Sequence, residues 1–269
     1  MPVFRIARVA VVGVALCALP ALALAQAKPF EPTVGQAGKD VVWVPTPQTL
    51  VDKMLDLAKV TPQDFLMDLG SGDGRTVITA AKRGLRAQGV EYNPDMVDLS
   101  KRNATAAGVA DKATFMKADL FETDFSKAQV ITMFLLPSIN LRLRPTILNM
   151  KPGTRIVSNS FTMDDWTADA TTTVEGDCTT WCTAYLWIVP AKVQGTWQLG
   201  GSQLVLKQQF QMLTGSLGSA TISAGRLRGD EISFSVGNAK YTGRVDGNAI
   251  KGSITGGSGG SFTATRAAR

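Results

Sequence analysis

The stretch Phe65-Leu66-Met67-Asp68-Leu69-Gly70-Ser71-Gly72-Asp73-Gly74-Arg75 constrains this chain more than any other. An apolar run ends in Asp-x-Gly-x-Gly-x-Gly, and a helix is expected at once over Thr76 to Lys82: strand, glycine turn, helix. Alternate glycines are needed where the backbone takes a positive φ or where a ligand lies too close for a Cβ. A dinucleotide site would space them G-x-G-x-x-G and set a pyrophosphate on the helix N-terminus. Here the third glycine comes one residue early, and Asp68 stands two residues before the first. A carboxylate aimed into the turn repels phosphate, yet it accepts hydrogen bonds from an ammonium group and attracts a sulfonium. The ligand indicated is S-adenosylmethionine, cradled by Asp68, Gly70, Ser71, Gly72 and Gly74.

A second acid, Glu91, ends the run Ala87-Gln88-Gly89-Val90, one helix and one strand beyond the turn. In a doubly wound sheet a carboxylate there chelates the ribose hydroxyls, with Tyr92 beside it in the cofactor set. Further strands are expected over Ala113 to Lys117, Val130 to Leu136 and Gly153 to Ser158. The first of these delivers Asp119, placed to accept from the adenine amino group or, as a lone loop acid, merely to face water. The Val130 run is apolar almost throughout, as a central parallel strand covered on both faces must be. Helices are expected from Thr46-Pro47 to about Val60, with Thr46 as cap, and from Asn93-Pro94 to about Ala107. A helix after Pro137 is expected to be interrupted at Pro145. Thr171 to Val174 and Thr183 to Val189 read as an antiparallel pair.

Beyond Pro190-Ala191-Lys192 the pattern changes. Residues 28–191 hold 17 Lys and Arg against 19 Asp and Glu, whereas residues 192–269 hold 9 against 3 together with 15 of the 26 glycines. Short alternating runs separated by glycine turns predict a small all-β unit of six to eight strands over 192–269, a barrel or a sandwich. Its aromatics are too few to stack bases in rows, so its charge reads as a solvated surface rather than a nucleic-acid site.

At the other end, Arg5 and Arg8 precede an uncharged run from Val9 to Ala25 that closes on small-x-small triplets. Residues 1–27 therefore read as a signal peptide exporting the chain to the periplasm, with 28–41 a linker; left uncleaved, the same run would anchor the chain to the inner membrane. Cys178 and Cys182 flank Thr179-Thr180-Trp181, and an even pair in an exported chain invites a disulfide. The chain has no histidine, which removes Ser-His-Asp and Cys-His catalysis and every His-ligated metal centre. No metal is expected.

Val44-Pro45-Thr46-Pro47, Asp68 to Arg75, Gly89-Val90-Glu91-Tyr92-Asn93-Pro94, Leu135-Leu136-Pro137 and Gly153 to Ser158 together resemble the seven-strand protein-lysine methyltransferases of the mitochondrial type. Those enzymes modify the ATP synthase c-subunit and the adenine nucleotide translocase. The resemblance covers about residues 42–166 and narrows chiefly on Val-Pro-Thr-Pro; Trp43 stands where the family usually has tyrosine, and the β-rich tail lies outside it. It implies an α/β, Rossmann-like seven-stranded methyltransferase sheet over 42–191, S-adenosyl-L-methionine as cofactor, and a protein lysine as acceptor. Thr46, Asn140, Asn159 and Phe161 are the candidates for lining the acceptor slot. Two other readings keep the same residues: methyl transfer to a small molecule or lipid near the membrane, and a non-catalytic protein that binds the cofactor. The intact Asp68, Gly70, Gly72, Gly74 and Glu91 argue against the last.

Overall fold

The protein is described here by a computed structural model covering residues 1–3, 30–176 and 178–267. The apolar run of the expected export signal lies outside the described residues. Residues Glu31–Arg269 form one unit. Among the described residues no helix is long and apolar enough to cross a membrane.

Strand β1 (Phe65–Leu69) is followed by α2 (Arg75–Lys82), β2 (Arg86–Glu91), α3 (Pro94–Ala106), β3 (Ala113–Lys117), β4 (Val130–Met133), α4 (Pro137–Ile147) and β5 (Arg155–Asn159), with α1 (Gln48–Leu57) ahead of them all. A hairpin of β6 (Ala170–Thr173) and β7 (Thr183–Ile188) completes a seven-stranded sheet in the order β3-β2-β1-β4-β5-β7-β6. The first five strands run parallel, and β7 enters antiparallel to β5. Chain order reverses between β1 and β4, and in such sheets a crevice opens there, beyond the strands' carboxyl ends.

Strand periodicity decides which face each side chain serves. Leu66, Ala87 and Val130 turn toward α1, α2 and α3, while Met67, Leu69, Val90, Ile131 and Met133 turn toward α4 and Trp166. Asp68 and Glu91 fall on the same parity as Leu66 and Ala87, so both acids emerge on one face at the two strand ends.

Three local expectations change. Thr46 does not cap α1: Pro47, in extended geometry, holds the cap position with no side-chain bond, and Thr46 turns inward. Asn93 does cap α3, its Oδ1 accepting from the Asp95 N–H at 2.9 Å. Pro145 does not interrupt α4, which runs through it to Ile147. Only the one backbone bond its nitrogen would donate is lost, and Leu143 and Ile147 on either side are anchored in the core. Strand β4 is shorter than its apolar run, because Phe134, Leu135 and Leu136 leave the sheet.

The tail is a closed antiparallel barrel. Its strands are β8 (Gly195–Leu199), β9 (Ser202–Gln209), β10 (Met212–Leu217), the two-residue β11 (Ala220–Thr221), β12 (Ser223–Arg228), β13 (Glu231–Val236), β14 (Ala239–Asp246), β15 (Ala249–Thr255) and β16 (Gly260–Arg266). Eight of them form a ring in which each pairs with the next and β16 pairs with β8; β11 hangs from β10. Closure leaves the ring without an edge, and Trp197, Leu204, Leu227, Ile232, Phe234, Ile250 and Phe262 fill the interior.

Barrel and sheet are joined by specific contacts. Phe210, at the β9–β10 turn, stacks on Trp166 with ring centroids 5.7 Å apart, and the Gln211 amide donates to the Thr167 carbonyl at 2.7 Å. Arg226 pairs with Asp169 at 2.8 Å. Where a fully wound sheet would carry another helix, this one is covered in part by a barrel turn.

Candidate active site

The cavity at the switch point is lined by the glycine turn, the ends of β1, β2 and β4, the loop after β3, and a strap formed by residues 36–46. Ala37 and Val42 pair across the strap. Of the residues expected from sequence to hold cofactor, Asp68, Gly70, Ser71, Gly72, Glu91, Tyr92 and Asp119 all line this cavity, as does Thr46. Gly74 closes the turn behind them.

Gly70, Gly72 and Gly74 all hold positive φ. At two of them close packing is as decisive. A Cβ on Gly72 would lie 2.7 Å from the Trp43 indole nitrogen, and one on Gly74 would lie 2.7 Å from the Phe115 ring and 2.9 Å from Ser100 Cβ. The third glycine thus serves helix–strand packing, while the second lets the strap lie flat on the turn.

The two acids differ in environment. Glu91 is gripped by backbone amides: Gly72 N–H donates to Oε2 and Asn93 N–H to Oε1, each at 2.9 Å. Its carboxylate is therefore fixed in rotation before any ligand arrives. Asp68 is buried, and Thr132 Oγ1 donates to its Oδ1 at 2.6 Å. Burial pushes the Asp68 carboxyl up to about 7; the Thr132 hydroxyl pulls it back in part, and the nearby Asp73 and Glu91 charges add to the rise. A carboxylate so poorly solvated gains strongly when a cation reaches it.

Asp119 is not left open to a base. Lys39 from the strap bonds its Oδ2, Phe121 N–H donates to Oδ1 at 2.9 Å, and both hold its carboxyl below the ordinary range. Lys39 also sits 5.0 Å from the centre of the Tyr92 ring. The strap is thereby pinned to the loop after β3 and to the end of β2.

Asn140 and Asn159 stand behind the cavity wall, fully buried. The Asn140 amide nitrogen lies within 3.4 Å of Ser158 Oγ and the Phe161 and Thr162 carbonyls. Asn159 donates to Thr46 Oγ1 at 3.2 Å. Phe161 lies beside the cavity rather than in its wall, 6.0 Å from the ring of Phe134, which does line it.

Several further residues build the site, of which Arg75 ends the glycine motif and Ser100 and Asn103 belong to no motif. Arg75 pairs with Asp73 at 2.6 Å and donates to the Thr46 carbonyl at 2.8 Å, tying turn to strap. On α3, Ser100 Oγ donates to the Gly72 carbonyl and Asn103 to the Asp73 carbonyl. Their spacing of three, on the side of an amphipathic helix otherwise buried by Met96, Val97 and Ala104, is the one signal that could have found them.

The cavity fits S-adenosylmethionine. Its wall is acidic, with Asp68, Asp73 and Glu91 grouped at the turn, which suits a cationic ligand and opposes a pyrophosphate. The buried Ser71 Oγ within it has no hydrogen-bond partner in the protein. Taken with the reversed β7 beyond β5, this cavity makes the chain an S-adenosylmethionine-dependent methyltransferase.

The family described as the ANTKMT methyltransferase domain matches residues 68–170. A protein-lysine N-methyltransferase from Saccharolobus islandicus (strain REY15A) is 41% identical over 152 residues, which is 55% of this chain and 94% of that protein. The chain belongs to this methyltransferase family. The ATP synthase c-subunit lysine N-methyltransferase of Mus musculus is 39% identical over 117 residues, and there the match spans only 47% of the mouse protein. Among solved structures, an RNA methyltransferase from Salinibacter ruber in complex with S-adenosyl-L-homocysteine is 47% identical, with 56% of this chain and 96% of that one covered at a TM-score of 0.52. The barrel, from β8 onward, lies outside the family match.

Proposed function

We propose that the chain transfers a methyl group to the side-chain amine of a lysine in a protein. S-adenosylmethionine supplies a methyl group on a sulfonium, so that a C–N bond forms as the C–S bond breaks, the electron pair staying on sulfur and the amine's proton leaving to water. Positioning then carries most of the work. Glu91, with its carboxylate already oriented by two backbone amides, is the ribose-holding group, and Asp68 is the partner of the amino-acid ammonium. An acceptor amine must lose its proton before it can attack, and a dry slot beside a sulfonium lowers its pKa by desolvation and like-charge repulsion.

The observation that carries the protein acceptor over RNA is the pairing of the cavity's cations. Lys39 is bound to Asp119 and Arg75 to Asp73, so neither is free for a phosphate backbone. The names of the Saccharolobus and mouse relatives support the lysine reading, and that of the Salinibacter structure supports the alternative. Labelled S-adenosylmethionine incubated with the full chain and a membrane extract tests it. Label recovered as methyl-lysine supports the proposal, whereas label in RNA or in lipid refutes it.

The place of action is part of the same proposal. The basic, then apolar, then small-x-small N-terminus supports export to the periplasm, and a disulfide between Cys178 and Cys182 suits an oxidising compartment. N-terminal sequencing from the native host should begin near Gln26 or Lys28. Recovery of an intact Met1 in a soluble cytosolic fraction would refute export; intact Met1 in the membrane fraction would favour the anchor.

A further inference from the structure

Next to the cavity lies a group of aromatic side chains that belongs to none of the core clusters. Phe134 leaves β4 and lines the cavity, Phe161 follows β5, and Trp181 stands on the loop of the β6–β7 hairpin. Their ring centroids lie 6.0 Å (Phe134 to Phe161), 5.8 Å (Phe134 to Trp181) and 5.1 Å (Phe161 to Trp181) apart. None is in a core cluster, and Trp181 is 42% exposed. A half-exposed tryptophan held against two further rings is costly surface unless something covers it.

The loop is built to hold that tryptophan. The Cys178–Cys182 disulfide closes around it, and Val174 N–H donates to the Cys182 carbonyl at 2.9 Å. Trp181 itself has a φ of +60°, a left-handed conformation that a bulky side chain adopts only when its surroundings impose it. Along the sequence its own segment carries charge of one sign. From Phe161 to Cys182 the sequence carries Asp164, Asp165, Asp169, Glu175 and Asp177 and no Lys or Arg. Asp165 and Asp169 are paired with Arg144 and Arg226, while Asp164 and Glu175 are exposed.

We propose that Phe134, Phe161 and Trp181 form the slot by which the acceptor reaches the cofactor, with Trp181 contacting the acceptor lysine directly. Aromatic faces pack the four-carbon stem and favour the ammonium while it is still charged. The acidic, base-free hairpin draws in a basic polypeptide and repels a nucleic-acid backbone. The inference rests on the lysine reading above and adds the residues that select for it.

Saturation-transfer NMR on the full chain loaded with S-adenosylhomocysteine tests this, using N-acetyl-lysine N-methylamide as one probe and a uridine oligonucleotide as the other. The wild type should bind the lysine probe, Trp181→Ala should weaken it by about tenfold, and Trp181→Phe should restore most of the loss. Affinity for S-adenosylhomocysteine, measured by calorimetry, should be the same in all three, since Trp181 is not in the cofactor cavity wall. If Trp181→Ala binds the lysine probe as the wild type does, the slot is wrong and the lysine reading stands. If the wild type binds the oligonucleotide and not the lysine probe, both fall.

Discussion

Asp68→Asn should make the protein without cofactor more stable at pH 8 than the wild type, at a cost in cofactor binding. The carboxyl is buried at the end of β1, and its pKa stands at about 7 against 3.8 for a free side chain. The unfolded chain ionises this group near pH 4 and the folded chain only near 7, so the folded state holds an extra proton between the two. Asp68 therefore costs nothing below about pH 4, and stability is lost as pH climbs from there to about 7, after which the loss is constant. Roughly three pKa units at 1.36 kcal/mol each give about 4 kcal/mol at pH 8. Asparagine keeps the shape and still accepts the hydrogen bond from Thr132 Oγ1, so the substitution removes the charge, at the smaller cost of an amide NH2 facing the cavity. Calorimetric melting without cofactor should show the variant about 10 °C above the wild type at pH 8, and the two together at pH 4. Binding should move oppositely: the ammonium of S-adenosylhomocysteine favours the carboxylate, so wild-type affinity rises as pH climbs toward about 7 while the variant stays weak and flat. Equal melting temperatures at pH 8, or a less stable variant, would refute the account of Asp68 as a strained, ligand-awaiting charge.

Glu91→Ala should lower affinity for S-adenosylhomocysteine by about 2 to 4 kcal/mol, since two charge-assisted hydrogen bonds go; calorimetry reads it directly. Gly74→Ala sets a Cβ against Phe115 and Ser100 at a φ of +82° and should destabilise the fold by about 2 to 4 kcal/mol, seen as a lower urea midpoint. Lys39→Ala unpins the strap from Asp119, so S-adenosylhomocysteine should leave faster in stopped-flow displacement, and high salt should bring the wild type toward the variant. An off-rate unchanged by both substitution and salt would remove the strap from the argument.

What the sequence disclosed and what it withheld follow from the range of the forces involved. β1, α2, β2, α3 and β3 were placed to within about a residue because glycines, an Asn-Pro cap and strand periodicity are local signals, each legible from its neighbours. That Asp68 and Glu91 would meet at the glycine turn was legible for the same reason: both stand near strand ends in a fixed relation to it. The strap was not, for its role lies in Trp43 covering Gly72, Lys39 reaching Asp119 and Arg75 reaching back to Thr46, all contacts between distant parts of the chain. Asn140 and Asn159 show the converse. Their place near the strand ends was legible, but not that their amide nitrogens donate to buried carbonyl and hydroxyl oxygens. The barrel was legible as short strands between turns, but alternation alone cannot distinguish a closed ring from two packed sheets. Closure is settled by the pairing of Ala264 with Leu199 and Arg266 with Trp197, which no local pattern encodes.

That same pairing sets an order of events. The ring is completed by its first strand and its last, so β8 must wait, unpaired on one side, until Gly260–Arg266 has emerged from whatever machinery delivers the chain. Until then the β9–β10 turn lacks the rigid base that would seat Phe210, and the indole of Trp166, in the connection between β5 and β6, keeps an open apolar face. Non-local closure of this kind is slow, and the uncovered surface is of the sort that chaperones hold and that drives aggregation. The enzyme half of the chain is thus covered by residues that lie outside the cofactor cavity, and loss of the last few should be felt first as poor yield.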